Sequence, residues 1–318
     1  MTDDALLLFD ERASWETAQA TLDEQELGDG LPLVIPTRRR LEAILAGIND
    51  PDRSRGQMPP LFGDLTPAAV AYNCVLAGAR AGDLPVVLTA AVACLEADFN
   101  LLGILTTTGT TAVAMLVHGP MARALGINAG TNCLGPGVRA NASIGRALAL
   151  VLRNVGGARP QVGDMATMGQ PGKYTFCFAE NDEAIFPPLP QRRGLGADAV
   201  SVLGVSGTAE ILPAGDGDTP EAILQSVAMA MAAAAAVAAR KPTRGEQVLL
   251  LPPELARFLV QHGWDLARVQ RHLFDAHAVA AAPEAIHVIV TGGPGVKMTH
   301  LPLWAGGTRV VTRPIGTA

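Results

Sequence analysis

Three apolar segments of this chain each run into a turn rich in glycine or threonine: "GILTTTGTTAVAMLVHGP" (103–120), "SVLGVSGTAEIL" (201–212) and "HVIVTGGPGVKMTHLPLW" (287–304). An apolar run without polar alternation must be covered on both faces. Helical periodicity between the runs, as at 65–82, 84–97 and 222–240, supplies the cover. The fold class expected is therefore α/β, with strands covered by helices on both faces and internal αβ repeats in prospect. Within this scheme "FNLLGILTT" (99–107) reads as a strand. "PAGDGDTPE" (213–221) is the best place for a subdivision of a globular region covering 31–318.

Hydrophobic residues make up 49% of the 318, but aromatics only 4%. Alanine, glycine, valine and leucine must fill the core, which favours close backbone packing and a homo-oligomer to bury more area. Residues 1–30 carry nine acids against Arg12, a charge of −8 that leaves the rest at +2. This segment reads as an acidic, solvated helix or arm. The acidic balance argues against nucleic acid as a partner. Four cysteines without a CxxC pair suit a reducing, cytoplasmic setting, and no secretory signal opens the chain. "AILQSVAMAMAAAAAVAAR" (222–240) is too alanine-rich for a membrane span and reads as a buried helix.

The richest stretch is "NCLGPGVRANASIGRALALVLRNVGG" (132–157). Ile144, Ala147, Leu148, Val151, Leu152 and Val155 fall on one helical face. Asn141 or Ser143 supplies the N-cap and Gly156-Gly157 the stop. Arg146 and Arg153 point away from the apolar face, as surface or subunit-contact charges. Ahead of the helix, Gly135 and Gly137 let the backbone bring its N–H groups to an anion, with Asn132, Arg139 and Asn141 beside them. Cys133, near a helix N-terminus and an arginine, becomes a candidate nucleophile.

The chain has 21 arginines but three lysines, and two of those lie in glycine-rich turns: Lys173 in "GQPGKY" and Lys297 in "GGPGVK". Lys173, Tyr174 and Gly293 join the substrate-binding candidates, Lys297 the catalytic ones. Thr107 in "TTTGTT" (106–111) offers a hydroxyl for a carboxylate or phosphate. His118 ends an apolar run, where α/β proteins place ligands. Glu180 follows the strand "KYTFCFAEN" (173–181), and His300 lies three residues after Lys297; each is a proton-transfer candidate. Neither the GxxxxGK[ST] spacing nor a dinucleotide fingerprint occurs, so no nucleotide cofactor is expected. A transition metal held among His118, Cys133, Cys177, Glu180 and His300 is the cofactor alternative.

Over most of residues 31–315 the chain resembles the UGSC-type (seleno)proteins. The likeness rests on "MPPLFG", "VHGPMARALGINAG", "NCLGPGVRANASIGRALALVLRNVGG", "QPGKYTFCFAEN" and "GGPGVKMTHLPLW…TRPI". The U/C-G-S-C box that names the family is absent, so the resemblance implies no redox role through it. It marks these motifs as important without naming a reaction.

Together the residues point to an enzyme acting on a small anionic organic molecule, of hydrolase or lyase type. Alternatives are a non-catalytic partner or carrier domain of a redox system, and a metal-dependent hydrolase. The enzyme reading expects Arg139, Lys173 and Lys297 to converge.

Overall fold

The computed structural model describes residues 6–215, 217–238 and 245–316. The acids Asp3 and Asp4, and Arg240 and Lys241 beyond the alanine-rich segment, lie outside them. In chain order come α1 (Trp15–Glu24), α2 (Arg38–Leu45), β1 (Gln57–Met58), β2 (Gly63–Asp64), α3 (Pro67–Ala77), α4 (Leu84–Ala93), α5 (Leu101–Thr106), β3 (Ala112–His118), α6 (Pro120–Ala124), α7 (Arg139–Asn154), β4 (Cys177–Ala179), α8 (Leu189–Arg192) and β5 (Ala199–Val205). Then follow β6 (Ala209–Ile211), α9 (Pro220–Ala238), β7 (Gln247–Leu251), α10 (Pro253–Gln261), α11 (Leu266–His277), β8 (Ile286–Val290), β9 (Met298–Leu301) and β10 (Val311–Pro314).

The fold is mixed α/β. Beyond the short β1–β2 ribbon there are two four-stranded sheets, ordered β10-β5-β3-β4 and β6-β9-β7-β8. In each, one pair is parallel (β3 with β4, β7 with β8) and the other pairings are antiparallel. The two sheets thus share one order of strand directions, with their outer strands exchanged. β6 leaves β5 to edge the second sheet, and β10 leaves β9 to edge the first. Each parallel pair is joined by a helical crossover, α6–α7 in one and α10–α11 in the other, as parallel strands require.

Alternation along the strands sets the layers. Met115 and Val117 of β3 and Val200 and Val202 of β5 pack under α3, α4 and α7. Leu249 and Leu251 of β7 and Val288 and Val290 of β8 pack under α9, α10 and α11. The opposite faces meet each other: Ala114, Leu116, Phe178 and Leu203 of the first sheet share a core with Val248, Leu250, Ile289 and Leu301 of the second. Every strand face in these runs is covered, but the inner cover is a sheet, where the sequence suggested helices. The order is helices, sheet, sheet, helices. An uninterrupted apolar run fixes that a face is buried, and it is silent on the kind of element that buries it.

Two local outcomes differ from the sequence reading. Residues 101–106 are helix, because Asn100 takes a left-handed φ of 56° and its side chain caps Gly103 N–H. The three strand–turn–strand segments do not form three copies, since the first is helix, turn and strand. The helix α9 spans the apolar window Pro220–Val237, of mean hydropathy 1.4. That window is long and apolar enough to cross a bilayer. Its Ile223, Leu224, Val227 and Met231 are fully buried in the core beneath it, but only 33% of the window is buried, where the sequence suggested a buried helix, and Met229 is 60% exposed.

The helix α7 carries the next part of the argument. Its predicted apolar face is buried from Ile144 to Leu152. The helix starts earlier than expected, at Arg139 behind Val138, so Asn141 and Ser143 sit inside it and cap nothing. Its polar face is not open to solvent. Arg146 makes a two-pronged pair with Asp29 (2.8 and 2.7 Å) and reaches the carbonyls of Leu31 and Pro32, each at 3.0 Å. Arg159 pairs with Glu26, and Asn154 donates to the Leu27 carbonyl at 3.0 Å. The segment 26–32, expected to be part of a solvated acidic arm, is the partner of this helix. Two-pronged guanidinium–carboxylate contacts of this kind are the strong end of the ion-pair range.

Candidate functional site

Beside α7, the chain from 158 to 174 folds back over the helix and encloses a cleft of about 600 Å³. Its walls include Arg153, Asp164, Gln170, Lys173 and Tyr174, with Asp29 at the rim. The loop is held by its own polar groups. Gln170 donates to the carbonyls of Thr110 and Val205 (2.5 and 2.8 Å), which fastens it to the turn before β3 and to the end of β5. Asp164 accepts the Ala166 N–H on one oxygen (3.0 Å) and the Lys173 ammonium on the other (2.6 Å). Both side chains of the pair are mostly buried, at 25% exposure for Lys173 and 19% for Asp164. A chamber of about 70 Å³ shares Asp164 and Lys173 with the cleft and runs inward to Phe176 and Thr111, whose buried hydroxyl has no partner.

Arg153 closes the other wall. Its Nη2 donates to the Glu26 carbonyl at 3.3 Å, while its Nε is buried without an acceptor. Burial, and then the neighbouring Arg159 charge, push its pKa below the usual arginine value. Among the described residues no carboxylate lies within ion-pair distance of Arg153. A partly desolvated guanidinium with no carboxylate beside it has donor capacity left for an anion.

At the predicted anion seat, 132–141, the side chains of Asn132, Arg139 and Asn141 are engaged by the protein's own groups. A Cβ on Gly135 would lie 2.1 Å from the Asn132 side-chain oxygen, so a larger residue there would displace that exposed side chain. Asn132 donates to the Pro136 carbonyl at 2.8 Å, and Gly137 sits at a φ of 123°. Arg139 turns to the buried Asp83 at 3.3 Å. Asn141 is nearly fully buried and clasps four backbone groups: Asn128 N–H (2.8 Å) and the carbonyls of Asn128, Cys133 and Cys177 (3.2, 3.2 and 3.1 Å). Cys133 is buried against Thr291, its Sγ 3.7 Å from the hydroxyl, and burial pushes its thiol pKa up, the opposite of what a nucleophile near a helix N-terminus needs.

The glycine-rich turns do meet, without pooling their charges. Gly292 N–H donates to the Ala129 carbonyl at 2.9 Å, and a Cβ on Gly293 would come within 2.3 Å of the Thr131 hydroxyl. A second cavity of about 450 Å³ joins Cys133, Gly135 and Asn141 to Gly172 and Thr208. Lys173 belongs to the cleft, Arg139 to Asp83, and Lys297 pairs with Glu210 on the surface at 3.1 Å. The three cations therefore serve three different places. Thr107 is used locally, accepting Gly109 N–H at 3.1 Å.

The predicted proton-transfer residues separate into two groups. His118 and Glu180 come together between the sheets. Glu180 Oε2 lies 2.6 Å from His118 Nδ1, and His118 Nε2 lies 2.8 Å from Ser201 Oγ on the neighbouring strand. All three are buried, and Leu189 N–H and Arg192 (3.1 and 3.7 Å) complete the Glu180 shell. His300 lies elsewhere, fully buried under the second sheet's helices, with Nε2 2.9 Å from the Gln247 side-chain oxygen. Among the described residues no three His, Cys, Asp or Glu side chains gather as metal ligands.

Burial pushes His300 down to about 4 from an ordinary 6.5. Below 6.5 the unfolded chain takes up a proton there that the fold resists. The stability from this group is therefore complete above 6.5 and lost as pH falls towards 4. Urea unfolding of the native chain and of His300→Gln, compared at neutral pH and near pH 5, is expected to show a smaller acid loss in the variant.

Asp164 and Ser201 went unnoticed in the sequence, and Arg153 was read there as a surface or subunit-contact charge. Asp164 is an acid in a loop, nine positions from its partner, and nothing in that spacing signals a contact. Arg153 does carry a signal, since it lies on the polar face of α7 three residues before the glycine stop. Compared with known proteins, the chain matches no family model, no curated protein and no solved structure.

Proposed function

We propose that this protein is an enzyme acting on a small anionic organic molecule, by hydrolase- or lyase-type chemistry, in the cleft between α7 and the 158–174 loop. The observation that carries the reading is Arg153, which has no carboxylate partner within ion-pair distance among the described residues, on the wall of the same cleft as the Lys173–Asp164 pair. A carboxylate held between the Arg153 guanidinium and the Lys173 ammonium satisfies both cations. It competes with Asp164 for Lys173, and the freed Asp164 oxygen is then placed to take a proton from the bound molecule. Lys173 is the matching proton donor. Tyr174, half-exposed at the mouth, supplies a ring against the rest of the ligand. The scheme uses only side chains and calls on no nucleotide cofactor.

Calorimetric titration of the purified chain with short mono- and dicarboxylic acids tests the reading. Binding that weakens as salt rises is the expected result, because the recognition is ionic. No heat from any member of the series, at low salt and neutral pH, would remove it.

A further inference from the structure

On the far side of the first sheet, the His118–Glu180 pair belongs to a longer chain of hydrogen bonds that reaches a second cavity. Ser201 Oγ lies 2.7 Å from Thr312 Oγ1 on β10, and Arg193 Nη1 donates to that Thr312 oxygen at 3.0 Å. Every link has a consistent donor when His118 carries its proton on Nδ1, toward Glu180. Arg193 donates to Thr312, Thr312 to Ser201, Ser201 to His118 Nε2, and His118 to Glu180. The acid orients the imidazole, and the imidazole draws on the hydroxyls, which is the arrangement of an activated nucleophile. Ser201 is fully buried, so it passes a proton and meets no ligand. Thr312 is half-buried and lines a cavity of about 810 Å³ together with Arg193, Glu246, Arg309, Arg313 and Glu96.

We propose that Thr312 is a nucleophile for acyl transfer, activated through Ser201 by the His118–Glu180 pair, in a site separate from the Lys173 cleft. Arg193 offsets the negative charge that develops on the threonine oxygen. Its other bond, to the Val310 carbonyl at 2.7 Å, fixes the guanidinium in place. The cavity walls are close to charge-balanced: Arg313 pairs with Glu96, Arg309 lies 3.7 Å from Asp98, and Glu246 lies 3.1 Å from His287 and near Arg193. Such walls suit a small, uncharged ester, in contrast to the anion-seeking cleft. In the reaction the Thr312 oxygen bonds the acyl carbon while the bond from that carbon to the leaving alkoxide or phenolate oxygen breaks. The threonine proton moves to Ser201 as the Ser201 proton moves to His118; the leaving oxygen departs as the anion and takes its proton from solvent, and in the hydrolysis that follows the proton on His118 returns through Ser201 to the Thr312 oxygen while the attacking water gives up a proton to solvent. Water then cleaves the acyl-threonine to the acid and restores the hydroxyl.

The test uses the full chain and p-nitrophenyl acetate, with peptide mass spectrometry to locate the acetyl group. One acetyl on Thr312 is expected in the native protein and in Thr312→Ser, and none at this position in Thr312→Val. His118 and Ser201 are positioning residues here. His118→Gln and Ser201→Ala are expected to lower the saturating acetylation rate by about 10²-fold or more, with the half-saturating ester concentration unchanged. Acetyl groups on lysines or the N-terminus with none on Thr312 would overturn the proposal, as would native-rate acetylation of Thr312 in His118→Gln. Thr312 lies on an edge strand, so its two variants keep the test decisive should the buried ones unfold.

Discussion

Lys173→Met is expected to weaken binding of small carboxylates by about 10- to 150-fold, the loss of one hydrogen bond to a charged group, about 1.5–3 kcal/mol. The ammonium is lost while the aliphatic length is kept, so cleft shape changes little. Asp164 is left without its 2.6 Å partner and adds repulsion toward an incoming anion. The double variant Lys173→Met/Asp164→Asn separates the two effects. Removing the repulsion recovers part of the affinity, and the remainder measures the missing cation. Calorimetric titration of the three proteins reads this directly. Equal affinity in the native protein and Lys173→Met would mean that the anion sits elsewhere.

The second large effect concerns the fold beside the cleft. Asn141→Ala is expected to cost about 3–4 kcal/mol in chemical denaturation, because four backbone groups lose a buried partner at once and each unmet group costs about 1–3 kcal/mol, in part shared with other bonds. These bonds tie the 128–133 turn to the start of β4. Their loss also frees Cys133, so reaction with a thiol reagent is expected to speed up in the variant. A cost below about 1 kcal/mol with an unchanged thiol rate would mean that the turn is held by other contacts.

Asn141 also shows how far residue type and spacing could be read. The sequence places it at a helix start beside glycines, where a cap or an anion ligand is the ordinary expectation. Its role comes from Cys177, thirty-six positions on, which no local pattern names. The apolar face of α7 was legible because it repeats within one element. The polar face was misjudged because its partners, the Asp29 carboxylate and the Glu26 and Leu27 carbonyls, belong to a segment that looks solvated when taken alone. The same limit explains the sheets. Each apolar run was recognisable as buried, but the meeting of the inner faces, and the exchange of β6 and β10, depend on pairings across 87 residues or more. His118 and Glu180 were grouped in the sequence only within a five-residue metal alternative, and the β3–β4 pairing puts them 2.6 Å apart as a pair. Lys173 was found by scarcity, a feature of composition; its partner Asp164 was not, because aspartate is common in this chain.

The most direct test is a crystal structure of the protein with the tightest carboxylate from the titration series. The account predicts ligand density in the cleft beside α7, with a carboxylate in contact with Arg153 and Lys173. Density at the 132–141 turn or on the surface at Lys297, with the cleft holding none, would contradict it.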